Sequence, residues 1–269
     1  MIQNRSIQQL FDLTGKTFLV AGGARNLGRD MATALAEAGA DGVVTSRSES
    51  SAQTTAREIS EATGRTISGS ALDALSEEEV ERIFSFVVGR LGRLDILVNC
   101  VGGGGLEGET LFEKRSLSAW ESLHRANLSS TFLLCTHAVP LMKKQGSGSI
   151  VNIASIAGIV VRDRRVYPPE MSPQSIDYAS AKSAVIGMTR DLAAHLGPDG
   201  IRVNAISPGG FERGQPKAFI EAYANKTPLR RMGRDGVDLK GAVLFLSSEA
   251  SAYVTGHNLV VDGGFTICQ

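Results

Sequence analysis

The sequence predicts an α/β fold: one doubly wound parallel sheet of about seven strands, with helices on both faces. Two observations carry this. Short apolar, β-branched runs alternate with longer helical patterns along the whole chain. The runs are apolar at consecutive positions, as strands covered on both faces require. In order, the strands are expected at 17–21 (Thr-Phe-Leu-Val-Ala), 42–45, 66–71, 95–98, 149–154, 202–206 and 258–261. Helices are expected near 27–39, 50–63, 76–91, 117–145, 176–197 and 237–247, so the crossovers should be right-handed. Ser76 and Glu79 have the spacing of a capping box opening the third helix. Two stretches leave the alternation, 160–175 and 209–228. Each follows the carboxyl end of a strand, where open α/β sheets bind ligands, and both are expected to be substrate-side loops.

The bulk numbers exclude several classes. A chain of 269 residues, 42% hydrophobic and 21% charged, supplies one large core, and residues 1–269 read as a single domain without linker or repeat. Lysine plus arginine and aspartate plus glutamate number 28 each, so no global field draws the protein to nucleic acid or an anionic membrane. No apolar stretch approaches the roughly 20 residues that span a bilayer. Residues 1–16 lack the apolar core of a secretory signal. Cys100, Cys135 and Cys268 are an odd number without metal-ligand spacing, which implies reduced thiols and a cytoplasmic location. His124, His137, His195 and His257 are scattered, so no metal site is expected.

Two motifs carry chemistry. Tyr178 and Lys182 lie four apart in Tyr-Ala-Ser-Ala-Lys, hence on one face of a helix. An ammonium beside a phenol stabilises phenolate, and such a tyrosine can pass a proton to or from an alcohol. The second motif is Ala21-Gly22-Gly23-Ala24-Arg25-Asn26-Leu27-Gly28, between the first strand and the first long helix. Glycines there let the backbone approach a pyrophosphate, while the helix N-terminus supplies N–H donors and positive potential.

With both motifs, the chain from about Leu13 to Phe265 resembles the short-chain dehydrogenase/reductase family, which implies a Rossmann-type sheet and a nicotinamide cofactor. The family's turn reads Thr-Gly-x-x-x-Gly-x-Gly, and Ala21, Gly22, Asn26 and Gly28 stand at those positions. Asparagine tolerates the left-handed conformation, so Asn26 preserves the turn. The resemblance assigns the cofactor to Gly22, Arg25, Asn26, Leu27 and Gly28, to Ser46 and Arg47 after the second strand, and to Asp73 at the adenine. It adds Asn99 and Gly102 in Asn-Cys-Val-Gly, then Pro208, Gly209 and Phe211, with Tyr178 and Lys182 at the nicotinamide end. Where the family selects NAD by an acid, this chain has Ser46, with Arg47 and Arg25 nearby. Guanidinium forks suit a 2′-phosphate, so NADP(H) is favoured and NAD(H) possible.

The family's active site maps onto Asn127, Ser155, Tyr178 and Lys182. The implied roles are proton exchange by Tyr178 and orientation of the reacting oxygen by Ser155. Lys182 tunes the tyrosine and binds the ribose, and Asn127 anchors a water that leads to solvent. Two departures stand out. Ser155 and Tyr178 are 23 positions apart, more than the family usually leaves, and the excess, 162–170, should overhang the pocket with arginines that hold a substrate anion, face solvent or contact a neighbouring subunit. The family's Pro-Gly-x-x-x-Thr ends here in Arg213 instead of threonine, so backbone near Phe211 substitutes. The C-terminal stretches resemble the gluconate 5-dehydrogenase-like branch, which implies a sugar, sugar-acid or polyol substrate reached by Glu107, Glu109, Arg162, Glu212 and Arg213. A 3-oxoacyl-carrier-protein reductase-like ketone reductase is the alternative. A non-catalytic nucleotide-binding protein is the third reading, against which the intact Ser155, Tyr178 and Lys182 argue. The family's habit of packing its fourth and fifth helices, here 117–145 and 176–197, between subunits, with a further interface at the C-terminal strand, implies a homotetramer, or a homodimer.

Overall fold

The computed structural model describes residues 5–103, 109–161 and 163–268. In chain order its helices are α1 (Ile7–Phe11), α2 (Asn26–Glu37), α3 (Glu49–Thr63), α4 (Glu77–Leu91), α5 (Leu117–His124), α6 (Ser130–Gln145), α7 (Ile176–Leu196), α8 (Lys217–Lys226) and α9 (Lys240–Ser247). The strands are β1 (Thr17–Ala21), β2 (Asp41–Ser46), β3 (Ile67–Ala71), β4 (Ile96–Asn99), β5 (Gly148–Ile153), β6 (Ile201–Pro208), β7 (Phe211–Glu212), β8 (Gly233–Arg234) and β9 (Asn258–Val261). Seven of them form one parallel sheet in the order β3-β2-β1-β4-β5-β6-β9.

Successive side chains of a strand point to opposite faces, and here both directions are apolar. Phe18 and Val20 of β1 enter the core under α2 and α9 with Met31, Leu35 and Leu246. Leu19 and Ala21 enter the other core, under α4 and α6, with Ile83, Leu134 and Met142. The result is a three-layer Rossmann-type α/β domain, as the consecutive apolar runs predict. β1 and β4 are neighbours, yet the chain leaves β1 toward β2 on one side and continues from β4 toward β5 on the other. Their carboxyl ends therefore open the crevice into which the glycine turn projects.

Several elements differ from expectation. α1 was not anticipated, although Ser6 and Gln9 form a complete capping box that is legible in the sequence. At α4 only half the expected box forms: Ser76 Oγ accepts from Glu79 N–H, but the Glu79 carboxylate accepts from Asp73 N–H at 2.7 Å. Stretch 209–228 is not simply a loop, because it contains β7 and the ten residues of α8. The expected helix 237–247 begins at Lys240, after a turn at Gly236. The expected rod 117–145 is helical throughout, but residues Arg125–Ser129 widen into a π-helix. No helix among the described residues is long and apolar enough to cross a membrane.

Candidate active site

A cavity of about 950 Å³ runs along the carboxyl ends of the strands, from Arg47 and Asp73 at one end to Phe219 and Phe265 at the other. The glycine turn forms its floor. Gly22 has φ +79°, and a Cβ there would meet the Cys100 carbonyl oxygen at 2.5 Å. A Cβ on Gly28 would meet the Gly22 carbonyl oxygen at 2.1 Å, so the helix can start this close to the turn only with glycine. Asn26 has φ +49°, the left-handed conformation its residue type tolerates. Arg25, Asn26, Leu27, Ser46, Arg47 and Asp73 all border the cavity, as do Gly102, Pro208, Gly209 and Phe211. Arg25 and Arg47 are exposed, and among the described residues neither pairs with a carboxylate. Asp73 already accepts the Leu75 N–H through Oδ1 at 3.0 Å.

Asn99 is the exception among the expected cofactor contacts. Its side chain is 1% exposed and turns into the sheet, donating to Asn152 Oδ1 at 2.8 Å and to Cys135 Sγ at 3.4 Å. It is absent from the cavity wall, because the pleat sends its side chain inward and the wall passes to Cys100.

Ser155, Tyr178 and Lys182 border the same cavity. Ser155 lies just past β5, extended, with its Oγ accepting the Ala157 N–H at 3.1 Å. Tyr178 and Lys182 share a face of α7, and the Lys182 Nζ lies 5.7 Å from the Tyr178 ring centroid. That ammonium is 4% exposed and donates to the Ile153 carbonyl at 2.8 Å. Burial lowers its pKa to about 8, a shift that the neighbouring Cys100 thiol opposes. Asn127 sits behind the wall, fully buried in the π-helical turn. Its Oδ1 accepts the Gly103 N–H at 2.9 Å, while Nδ2 donates to the carbonyls of Gly103 and Leu123, both at 3.1 Å. Its amide therefore pins the glycine loop after β4.

The sequence matches the family model described as Enoyl-(Acyl carrier protein) reductase over residues 22–266, nearly the whole chain and all of this cavity. The chain belongs to the short-chain dehydrogenase/reductase family. As a family member it is an oxidoreductase of hydroxyl or keto groups. A 3-oxoacyl-[acyl-carrier-protein] reductase of Aquifex aeolicus is 34% identical over 256 residues, covering 94% of this chain and 98% of that one. Among solved structures, a gluconate 5-dehydrogenase from Burkholderia cenocepacia in complex with NADP and tartrate superposes with a TM-score of 0.87. It is 31% identical, and the match covers 98% of this chain and 100% of that one. A 7α-hydroxysteroid dehydrogenase complexed with NADH and 7-oxo glycochenodeoxycholic acid superposes at 0.86 with 30% identity, covering 97% of this chain and 98% of that one.

In this short-chain dehydrogenase/reductase, the stretches expected to meet substrate depart from the sequence reading. Stretch 160–175 does border the cavity, but through Val160, Val166, Tyr167 and Met171 more than through its arginines. Arg165 is turned back onto Asp163 and Arg164 is exposed; neither lines the cavity. Of the expected polar contacts, Glu109 and Glu212 are off the wall. Arg213 is on it, but is bound to Asp235 at 2.7 Å and lies 5.8 Å from the Phe211 ring centroid. Gly104, Gly105, Glu107 and Arg162 lie outside the described residues.

Sequence reasoning missed two sets of residues. One is a buried ion pair: Arg115 donates to Asp177 Oδ2 through Nη2 at 2.5 Å and Nε at 3.0 Å, next to Tyr178. No local pattern announces it, since its members are 62 positions apart. The other is an aromatic row from Tyr167 through Phe219 and Tyr223 to Phe265. Only the i, i+4 spacing of Phe219 and Tyr223 is visible in the sequence.

Proposed function

We propose that this protein interconverts a secondary alcohol and a ketone with NADP(H), using Tyr178 as the proton-transferring group. The observation that carries this is that Ser155, Tyr178 and buried Lys182 border the same cavity as the glycine turn. A dinucleotide suits the residues present, because only glycine at positions 22 and 28 lets the turn lie against Cys100 and the helix start lie against the turn, which brings backbone N–H donors to where a pyrophosphate would bind. In this reading Gly22, Asn26, Leu27 and Gly28 hold the pyrophosphate, and Asp73 and Gly102 hold the adenosine half. Arg25, Ser46 and Arg47 take the 2′-phosphate. The backbone of Pro208, Gly209 and Phe211, together with Lys182, receives the nicotinamide end. The nicotinamide, when bound, supplies or takes up the hydride at the substrate carbon.

The chain's own residues handle the oxygen and the proton. Ser155 Oγ hydrogen-bonds the reacting oxygen and stabilises charge that develops on it. Tyr178 gives its proton to that oxygen in reduction and takes it back in oxidation. Lys182, while protonated, stabilises the phenolate left on Tyr178. Asn127 fixes the Gly103 backbone beside this group. The Asn127 side chain is engaged with Gly103 and Leu123 and its main-chain carbonyl accepts from Thr131 Oγ1 at 3.0 Å, so its role in this reading is to hold the glycine loop.

The likeness to a gluconate 5-dehydrogenase supports a sugar-acid substrate, and the Aquifex relative supports a 3-oxoacyl one. A homotetramer is the proposed assembly, supported by Phe132 of α6, a large apolar side chain 56% exposed. The test of the reaction class is a screen of polyols, sugar acids, ketones and 3-oxoacyl thioesters with NADP⁺/NADPH and NAD⁺/NADH side by side. Tyr178→Phe should lower kcat about a thousandfold while the NADPH dissociation constant stays nearly unchanged. Undiminished turnover in that variant would remove Tyr178 from the mechanism.

A further inference from the structure

The far end of the cavity, beyond Tyr178, is built from three separate parts of the chain. Tyr167 comes from stretch 160–175, Phe219 and Tyr223 from α8, and Phe265 from the segment after β9. Their rings form a continuous row, with centroids 5.1 Å apart for Tyr167 and Phe219, 5.9 Å for Phe219 and Tyr223, and 4.5 Å for Tyr223 and Phe265. Val166 and Met232 complete the cluster behind them. All six border the cavity.

The polar groups on this wall are engaged with one another. Asp163 binds Arg165 and Lys226, tying stretch 160–175 to α8. Arg213 is held by Asp235. Gln215 bridges the Arg213 N–H at 2.6 Å and the Phe211 carbonyl at 2.7 Å. The Tyr223 hydroxyl accepts the Gly210 N–H at 2.6 Å, and burial raises its pKa to about 12, so it stays neutral. Among the described residues, the Tyr167 hydroxyl, Ser172 and Gln174 are further polar groups bordering the cavity here.

A polyol brings several hydroxyls that each need a partner once out of water, and a wall whose charged groups already bind one another leaves them poorly matched. A hydrocarbon group brings no such demand and gains by leaving water against the rings. The row is also braced before any substrate arrives, by the Asp163–Lys226 pair and the Tyr223–Gly210 hydrogen bond. Little ordering is then required on binding.

We propose that the substrate carries a bulky hydrocarbon group next to the carbon that exchanges hydride, and that the ring row Tyr167–Phe219–Tyr223–Phe265 receives it. The proposal rests on the alcohol–ketone reading above and replaces its sugar-acid branch. A ring ketone and an acyl chain on a thioester share this chemistry, and the experiment separates them. Initial rates with NADPH are measured for 2-decalone, for a 3-oxoacyl thioester and for 5-ketogluconate. Either hydrocarbon-bearing substrate should exceed 5-ketogluconate in kcat/KM by about a hundredfold, and the better of the two identifies the source. Tetralin, which has rings but no carbonyl, should inhibit competitively and bind the NADP⁺-loaded protein in a calorimeter. Phe219→Ala should raise KM for the preferred substrate about tenfold, with NADPH affinity measured on the same sample as the control for folding. A preference for 5-ketogluconate, or no binding of tetralin, overturns the proposal and leaves the alcohol–ketone reading standing. No turnover of any carbonyl or alcohol by a protein that binds NADPH overturns both.

Discussion

Lys182 shows how burial adjusts one residue for its work. An exposed lysine stays charged to about pH 10.4. Here the loss of solvation lowers the pKa to about 8, with the Cys100 thiol opposing the shift. The sign follows directly. Below about 8 the amine is charged in both folded and unfolded chains. Between there and the unfolded value, only the unfolded chain keeps the proton, so folded stability rises with pH across that window. Activity should move the other way, because the charge that favours Tyr178 phenolate disappears. In ketone reduction, kcat/KM of the enzyme should fall as pH rises through about 8, and Lys182→Arg should carry that fall to higher pH. A flat profile across this range would separate the Lys182 charge from the proton transfer. The Tyr-x-x-x-Lys spacing was legible because helix geometry is local. The burial that alters the lysine was not, because it comes from β5 and the turn after β4.

At the scale of elements, α7, which carries Tyr178 and Lys182, is held in place by a contact that no local pattern encodes. Asp177 is fully buried at the first turn of α7, where a carboxylate also complements the helix dipole. Arg115, whose side chain is 4% exposed, joins it to the segment before α5 and also donates to the Glu109 and Ala119 carbonyls, both at 3.2 Å. Removing one member of such a pair strands a buried charge. Asp177→Asn should therefore cost about 3–5 kcal/mol of stability, read from urea unfolding, whereas Asp177→Leu combined with Arg115→Met should cost less. An unchanged unfolding midpoint in Asp177→Asn would show that the pair contributes nothing. The elements that sequence patterning missed share a physical reason. α8 lies where its apolar face serves the cavity rather than the main core, so it read as loop. The π-helical turn at Arg125–Ser129 depends on how α5 and α6 pack, and it is what sets Asn127 against Gly103.

At the scale of the whole molecule, the proposed cofactor site is shared among the ends of β1, β2, β4 and β6, so a bound dinucleotide would stabilise the native state as one unit. NADP⁺ at a hundred times its dissociation constant should raise the melting temperature on the order of 5–10 °C. NAD⁺ at the same concentration should raise it less, because Arg25 and Arg47 face its 2′-hydroxyl instead of a phosphate. Arg47→Asp should reverse that order, and an equal response to both nucleotides before and after the change would refute the choice by arginine. The sheet, the glycine turn and the places of Ser155, Tyr178 and Lys182 along the chain were legible in the sequence, because each depends on side-chain period, turn conformation or spacing within one or two elements. That Asn99 faces the sheet, that Arg165 and Arg213 are bound to neighbouring carboxylates, and that four rings from three distant segments line one end of the cavity emerge only from the folded arrangement. Those outcomes depend on which surfaces meet when the chain closes, and charged or aromatic residues in loops do not show in advance whether they will meet substrate or one another.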